Sequence, residues 1–216
     1  MKIGIDVDGV LASFEEGYAK LIIAVTGKDL FPEPKPWWPT GCPPVWFWTQ
    51  HFGYTQAEDS ATWKAIKESP DFWQKLKILP GAYTLRNLFQ KYGFLKSHDI
   101  YFVTNRLGIR PKEQTERWLR EHLGLSRPTV LLSEEKGLIA KGLHLDCYID
   151  DKDSNVLDVA KNAVWAKLGA EGPVIYRTRT YCLNKDYNKG MPESNSATPY
   201  TRVDSVEEFL QLEGLL

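Results

Sequence analysis

From about residue 80 onward the chain alternates short apolar runs with segments of helical periodicity, and this alternation restricts the fold more than any other feature. Residues 82–92, 111–122, 136–143 and 154–161 carry apolar side chains at helical spacing. Between them, 100–104 (Ile-Tyr-Phe-Val-Thr), 129–133 (Thr-Val-Leu-Leu-Ser), 146–150 and 174–177 read as strands, and Lys2 to Val7 adds one at the N-terminus. Strands that alternate with helices predict a parallel sheet covered on both faces, so the expected class is α/β with a doubly wound parallel sheet. Residues 178–203 are polar and read as a long surface loop, and Ser205 to Leu212 as a closing helix. No internal repeat is visible.

The segment between the first strand and residue 80 differs in kind. Phe14 to Val25 has helical spacing (Phe14, Tyr18, Leu21, Ile22, Val25) and ends at Gly27; Thr55 is placed to cap a helix running to Glu68. Between them, prolines at 32, 34, 36, 39, 43 and 44 exclude a long helix or a central strand. The expected organisation is a core of residues 1–13 and 80–216, with a small, mainly helical, aromatic-rich cap at 14–79 inserted after the first strand. Of the 8 tryptophans, those at 37, 38, 46, 48, 63 and 73 all fall in this insert. Aromatic faces stack on nucleobases, at roughly 1–3 kcal/mol per stack. Trp63, on the second helix, reads as packing.

Polar residues recur where the predicted strands end: Asp6 and Asp8, Thr104-Asn105, Lys136 at a helix start, and Asp150-Asp151. In a doubly wound sheet these ends lie along one edge, so the residues converge there. Carboxylates crowded together repel, and a hard divalent cation relieves the repulsion; oxygen ligands with room for water and phosphate suit Mg²⁺ better than zinc. A carboxylate nucleophile, a cation, a lysine and neutral donors together serve phosphoryl transfer. Lys136 faces such a site more naturally than Lys141, which falls in mid-helix. Thr104 alone would serve equally as a strand-end cap, and Asp153 as a helix start. Cys147 reads as core. The histidines at 51, 98, 122 and 144 show no ligand spacing, and only His51 lies in the insert.

Asp6-Val7-Asp8-Gly9-Val10, Val103-Thr104-Asn105, Lys136 and Ile149-Asp150-Asp151 resemble, in order, the four motifs of the haloacid dehalogenase superfamily of phosphatases. Ser69-Pro70-Asp71-Phe72-Trp73, Leu79-Pro80-Gly81-Ala82 and Asp150-Asp151-Lys152-Asp153 are similar to stretches of the 5′(3′)-deoxyribonucleotidases within it. The resemblance implies a Rossmannoid core and an Mg²⁺-dependent phosphomonoesterase acting on nucleoside monophosphates. By it, Asp6 is the nucleophile and Asp8 the general acid/base, whose backbone carbonyl also binds Mg²⁺. Thr104, Asn105 and Lys136 hold the phosphate, although the nucleotidases often have serine where Asn105 stands. Asp6 and Asp151 bind the metal directly and Asp150 through water. Phe72 and Trp73, then Phe14 and Phe47, are the implied base-contacting residues.

Other classes compete with this reading. The first is a phosphatase for another small ester such as a sugar phosphate; the second is a catalytically silent nucleotide-binding module. A signalling receiver domain also uses acidic residues, a Thr and a Lys, but places its acid pair first and its lysine last. With 27 basic and 28 acidic residues, the net charge of −1 argues against a nucleic-acid polymer or an anionic membrane as partner. The 3 cysteines form no framework, and the opening Met1-Lys2-Ile3-Gly4-Ile5-Asp6 is too short and acidic for a signal peptide, so the expected compartment is the cytoplasm, of a host cell if the gene is phage-borne. Oligomeric state is not legible.

Overall fold

The computed structural model describes residues 1–32, 48–91, 93–170 and 172–216. Phe47 and the tryptophans at 37, 38 and 46 lie outside these residues. In chain order the elements are β1 (Lys2–Ile5), α1 (Phe14–Thr26), α2 (Trp48–His51), α3 (Gln56–Glu68), α4 (Pro80–Phe89), α5 (Phe94–Ser97), β2 (Asp99–Thr104), α6 (Pro111–Leu123), β3 (Thr129–Leu132), α7 (Lys136–Leu143) and β4 (Cys147–Asp150). There follow α8 (Asp153–Asn162), β5 (Val164–Gly169), β6 (Gly172–Arg177), β7 (Arg179–Leu183), β8 (Thr201–Val203) and α9 (Val206–Leu212).

Six strands form one sheet in the order β3-β2-β1-β4-β7-β8, and every neighbouring pair is parallel. The order reverses at β1: β2 and β3 extend to one side, β4 and its successors to the other. A reversal of this kind opens a crevice at the carboxyl ends of the strands, here between β1 and β4. Ile3 and Ile5 of β1 and Cys147, Tyr148 and Ile149 of β4 are buried, as expected for strands covered on both faces.

Local signals set several boundaries. Gly27 closes α1 in the left-handed region at φ 68°. Thr55 and Glu58 form a reciprocal capping box at the start of α3, and the Ser205 hydroxyl accepts from Glu208 N–H at the start of α9. At the bounds expected for the insert, the two connecting segments pair with each other. Ser13 N–H donates to the Lys77 carbonyl at 2.8 Å, Leu79 N–H donates to the Leu11 carbonyl at 2.7 Å, and Ala12 bridges Ile78 in antiparallel fashion. Tyr18, Ala19, Ile22, Ile66 and Trp73 from the insert run into the same hydrophobic cluster as Ile3, Ile5 and Phe102 of the sheet.

Two expectations need correction. The apolar run 174–177 is not a strand of the main sheet; it belongs to β6, which pairs antiparallel with β5 in a separate hairpin, where Ile175 is 67% exposed. The fifth strand of the main sheet is β7, inside the stretch read as a surface loop. Thr180, Tyr181, Cys182 and Leu183 are buried between β4 and β8. Their apolar character is masked in the sequence by Arg177, Thr178 and Arg179, and only tertiary burial reveals the strand.

Candidate active site

Asp6 follows the last residue of β1, and its N–H donates to the Ile149 carbonyl at 3.0 Å, which fixes the backbone at the switch point. Its carboxyl is buried. Lys136, the first residue of α7, is buried as well; its Nζ donates to Asp6 Oδ1 at 2.8 Å and to the Val103 carbonyl at the end of β2. Lys141 is exposed on the last turn of the same helix, so of these two lysines it is Lys136 that pairs with a carboxylate. At the end of β4, Asp150 accepts from Tyr148 Oη at 2.6 Å, Lys152 N–H at 2.9 Å and Asn155 Nδ2 at 3.1 Å. Asp151 accepts from Tyr187 Oη, and its backbone carbonyl accepts from Asn188 Nδ2 at 2.7 Å. Asp6, Asp150 and Asp151 are all buried, and each offers a carboxylate oxygen within 4.8 Å of the other two. An all-oxygen donor set of this kind fits a hard divalent cation such as Mg²⁺.

Crowding and burial show in the protonation of the group. Burial pushes the Asp6 carboxyl up to about 7; Lys136 opposes the shift, and Asp150 and Asp8 add to it. Burial likewise raises Asp150 and Asp151, each to about 6, with Lys136 opposing at Asp150 and Asp6 adding at Asp151. Glu15, in the first turn of α1, is pushed up to about 8 by burial and then by the Asp151 charge, while Lys185 opposes.

Asp8 stands apart from the three clustered carboxylates. Its Oδ2 accepts from Thr104 Oγ1 at 3.2 Å and from Arg106 Nε at 2.9 Å, and its Oδ1 accepts from Arg106 Nη2 at 2.8 Å. Between Asp8 and Asp151, Gly9 adopts φ 76°, and a Cβ there would meet Asp151 Oδ2 at 2.0 Å. Only glycine allows the loop after β1 to pass this close to the end of β4.

These groups open onto a cavity of about 760 Å³. Asp6, Asp8, Thr104, Asn105, Lys136 and Asp151 line one part of it, and Phe14, Trp63 and Trp73 another. Asn105 is exposed and donates to Glu134 Oε1 at 3.1 Å. Phe14 stacks with Trp73 (centroids 5.7 Å apart, planes at 18°) and with Trp63 (5.7 Å, 29°). Trp73 is buried, donates through Nε1 to the Leu107 carbonyl at 2.9 Å and lies 5.0 Å below the Arg106 guanidinium. Phe72 meets Trp73 edge-on at 5.0 Å and is not among the residues lining the cavity, whereas Trp63 packs against the core cluster, as read from the sequence, and also lines the cavity.

Solved structures share this architecture over nearly the whole chain. A HAD family hydrolase from Deinococcus radiodurans R1, solved with bound phosphate and sodium, superposes with a TM-score of 0.55 at 14% identity, over 100% of this chain and 96% of that one. A haloacid dehalogenase-like family hydrolase from Streptococcus pneumoniae gives 0.55 at 12% identity, over 98% and 97%. The HAD-hydrolase YfnB from Bacillus subtilis, bound to magnesium, gives 0.54 at 16% identity, over 98% and 97%. The chain has the haloacid dehalogenase-like fold. No protein-family model and no curated protein matches the sequence.

Within this haloacid dehalogenase-like fold, the residues at the site that were not singled out from the sequence include Arg106, Tyr187, Asn188 and Glu15. Arg106 follows Thr104-Asn105 directly, but an arginine just past a strand end reads as solvent-facing, and nothing local signals its burial. Tyr187 and Asn188 lie in the stretch taken for a loop and reach Asp151 only because β7 runs beside β4. Glu15 had a usable signal: it is an acidic residue in the first turn of the helix that follows the Asp6-Val7-Asp8 loop.

Proposed function

We propose that the chain is an Mg²⁺-dependent phosphomonoesterase that hydrolyses nucleoside monophosphates through an aspartyl-phosphate, as the resemblance to the 5′(3′)-deoxyribonucleotidases implies. The observation that carries the reading is the buried Asp6–Lys136 pair, set beside Asp151 at the head of a cavity with an aromatic wall. Phosphate in the Deinococcus structure and magnesium in the Bacillus structure support it by analogy of fold.

Asp6 and Asp151 would hold the cation through carboxylate oxygens, with the Asp8 backbone carbonyl beside them and Asp150 acting through water. When bound, Mg²⁺ supplies positive charge that offsets the oxygens of the transferring phosphoryl group. Lys136 holds Asp6 by Oδ1 and leaves Oδ2 to attack phosphorus. As the bond to the leaving oxygen breaks, Asp8, protonated at the start of the cycle, gives that oxygen its proton and becomes the carboxylate that Arg106 pairs with. In the second step a water attacks the phosphorus of the aspartyl-phosphate, Asp8 takes its proton, and phosphate and free Asp6 are restored. Thr104, Asn105 and Lys136 receive the phosphate oxygens. Residues 14–79 act as a cap that excludes water from the aspartyl-phosphate.

A second reading, hydrolysis of a different small ester such as a sugar phosphate, is favoured by one observation. Phe14 and Trp73 stack on each other and Arg106 covers Trp73, so part of the aromatic wall is already occupied. A panel of nucleotide and sugar phosphates assayed with and without Mg²⁺ separates the two, and a preference for nucleotides that survives Trp63→Ala would exclude base stacking on Trp63. Asp6→Asn should release no phosphate and form no covalent phosphoenzyme; turnover at the wild-type rate would refute the mechanism.

A further inference from the structure

Two glutamates open α1, and their surroundings differ. Glu16 is buried but ion-paired twice, to Lys20 Nζ at 2.5 Å and to Lys77 Nζ at 2.6 Å. Glu15 is 5% exposed, and its Oε2 has no hydrogen-bond partner. Among the described residues, three buried side-chain polar atoms lack one: Glu15 Oε2, Ser13 Oγ and Trp165 Nε1. Of the three residues, only Glu15 lines the cavity that holds Asp6, Asp8 and Asp151.

Burying a carboxyl oxygen without a donor is costly, and folded proteins seldom do it without a reason. The helix N-terminus favours an acidic residue, but it favours Glu16 equally, and Glu15 carries the added repulsion of Asp151 and Asp8. A direct metal role does not fit either, because Glu15 is outside the group of Asp6, Asp150 and Asp151 whose oxygens lie within 4.8 Å of one another. Its position accounts for it better. The Glu15 carboxyl feels the charges of Asp151 and Asp8, lines the same cavity as both, and is next in sequence to Phe14 of the aromatic wall. A ligand that fills this cavity from the carboxylates to the aromatic wall meets Glu15 among the lining groups, and a carboxyl oxygen there selects a hydrogen-bond donor. In a nucleotide the sugar carries such a donor; in a sugar phosphate the polyol itself does.

We infer that Glu15 is a specificity-determining residue that accepts a hydrogen bond from a sugar hydroxyl of the leaving group. This inference rests on the phosphomonoesterase reading and names the chemistry its substrate must carry.

The test follows phosphate release by wild type, Glu15→Met and Glu15→Ala on four esters: a 2′-deoxynucleoside 5′-monophosphate, its 2′,3′-dideoxy analogue, ribose 5-phosphate and phenyl phosphate. Wild type should favour the hydroxyl-bearing member of at least one pair by about 10–100-fold in kcat/KM. A gap between the two nucleotides assigns the hydroxyl to a nucleoside, and a gap only between ribose 5-phosphate and phenyl phosphate assigns it to a free sugar phosphate. Glu15→Met keeps the length of the side chain without an oxygen acceptor and should narrow the gap to about 3-fold or less; Glu15→Ala should do the same if the Met variant does not fold. A gap that persists in the variants, an equal loss on all four esters, or no gap in wild type overturns the inference. Failure of wild type on all four, with and without Mg²⁺, overturns the phosphomonoesterase reading itself, and that failure is visible without any variant.

Discussion

Arg106 holds Asp8 with a two-pronged grip, Nε to Oδ2 at 2.9 Å and Nη2 to Oδ1 at 2.8 Å, and its own side chain is fully buried. The remaining nitrogen donates to Thr115 Oγ1 at 3.0 Å on α6, and the guanidinium lies over Trp73. The carboxyl that exchanges a proton with the leaving group in the proposed mechanism is therefore oriented by a planar fork anchored to a helix and a ring. Lysine cannot reproduce this fork, because an ammonium offers a point charge and no paired parallel donors.

Arg106→Lys should lower kcat by about 10–100-fold, since small misplacements of a catalytic group cost that much, while Mg²⁺ binding followed by thermal shift stays close to wild type. A kcat within twofold of wild type would show that Asp8 needs no such orientation.

The carboxylate cluster also predicts how stability responds to pH. Burial raises the carboxyls of Asp6, Asp150 and Asp151 in the folded protein to about 7, 6 and 6, from the 3.8 of a free aspartate side chain. A carboxyl raised by folding binds its proton more tightly in the folded state. The stability it contributes is present below about 4 and declines as pH rises through 6 to 7. Metal-free protein should therefore melt at lower temperature at pH 8 than at pH 5. Mg²⁺ competes with these protons, so its stabilising effect should be larger at pH 8. It should reach roughly 5–10 °C at a free concentration 100 times the dissociation constant. Calorimetry at the two pH values, with and without Mg²⁺, decides this, and an equal effect of Mg²⁺ at both would contradict it.

Much of this candidate site was legible in the sequence because its polar residues sit on strand ends, and strand ends follow from apolar runs and their polar stops. Asp6, Asp8, Thr104, Lys136, Asp150 and Asp151 all lie within three residues of such a boundary or at a helix start. Residues that reach the site from outside those ends were hidden. Tyr187 depends on β7, whose burial beside β4 is a tertiary fact that Arg177 and Arg179 disguise. Arg106 depends on Asp8 and Thr115 meeting it from distant parts of the chain. The aromatic skew was visible, but which rings face the cavity and which pack was not, because stacking partners such as Phe14 and Trp63 are 49 positions apart in the numbering.

Gly9 brings the loop after β1 against the Asp151 carboxylate. An alanine there meets two costs: φ 76° is unfavourable by about 1–2 kcal/mol for a residue with a Cβ, and the added carbon would fall 2.0 Å from Asp151 Oδ2. Gly9→Ala should destabilise the fold by at least about 2 kcal/mol and displace Asp151, so that added Mg²⁺ no longer raises the melting temperature. Retention of the full Mg²⁺ shift in this variant would mean that Asp151 is dispensable for binding the ion.

Tyr187 reaches the same carboxylate from the other side. Its hydroxyl donates to Asp151 Oδ2, a bond that favours the ionised form and partly offsets the rise caused by burial and by Asp6. Tyr187→Phe removes the donor but keeps the ring. The Asp151 carboxyl should then titrate above its present value of about 6, and it should lose its fixed orientation. Both changes weaken metal binding, and outer partners of metal ligands typically contribute 10–100-fold in affinity. The two effects separate by pH. Proton competition matters near pH 6 and fades by pH 8.5, whereas lost orientation is felt at both. Titration calorimetry should therefore find Mg²⁺ bound at least about tenfold more weakly by the variant at pH 6, with a smaller deficit at pH 8.5. Equal affinity for the two proteins at pH 6 would show that the Tyr187–Asp151 bond is incidental to the ion.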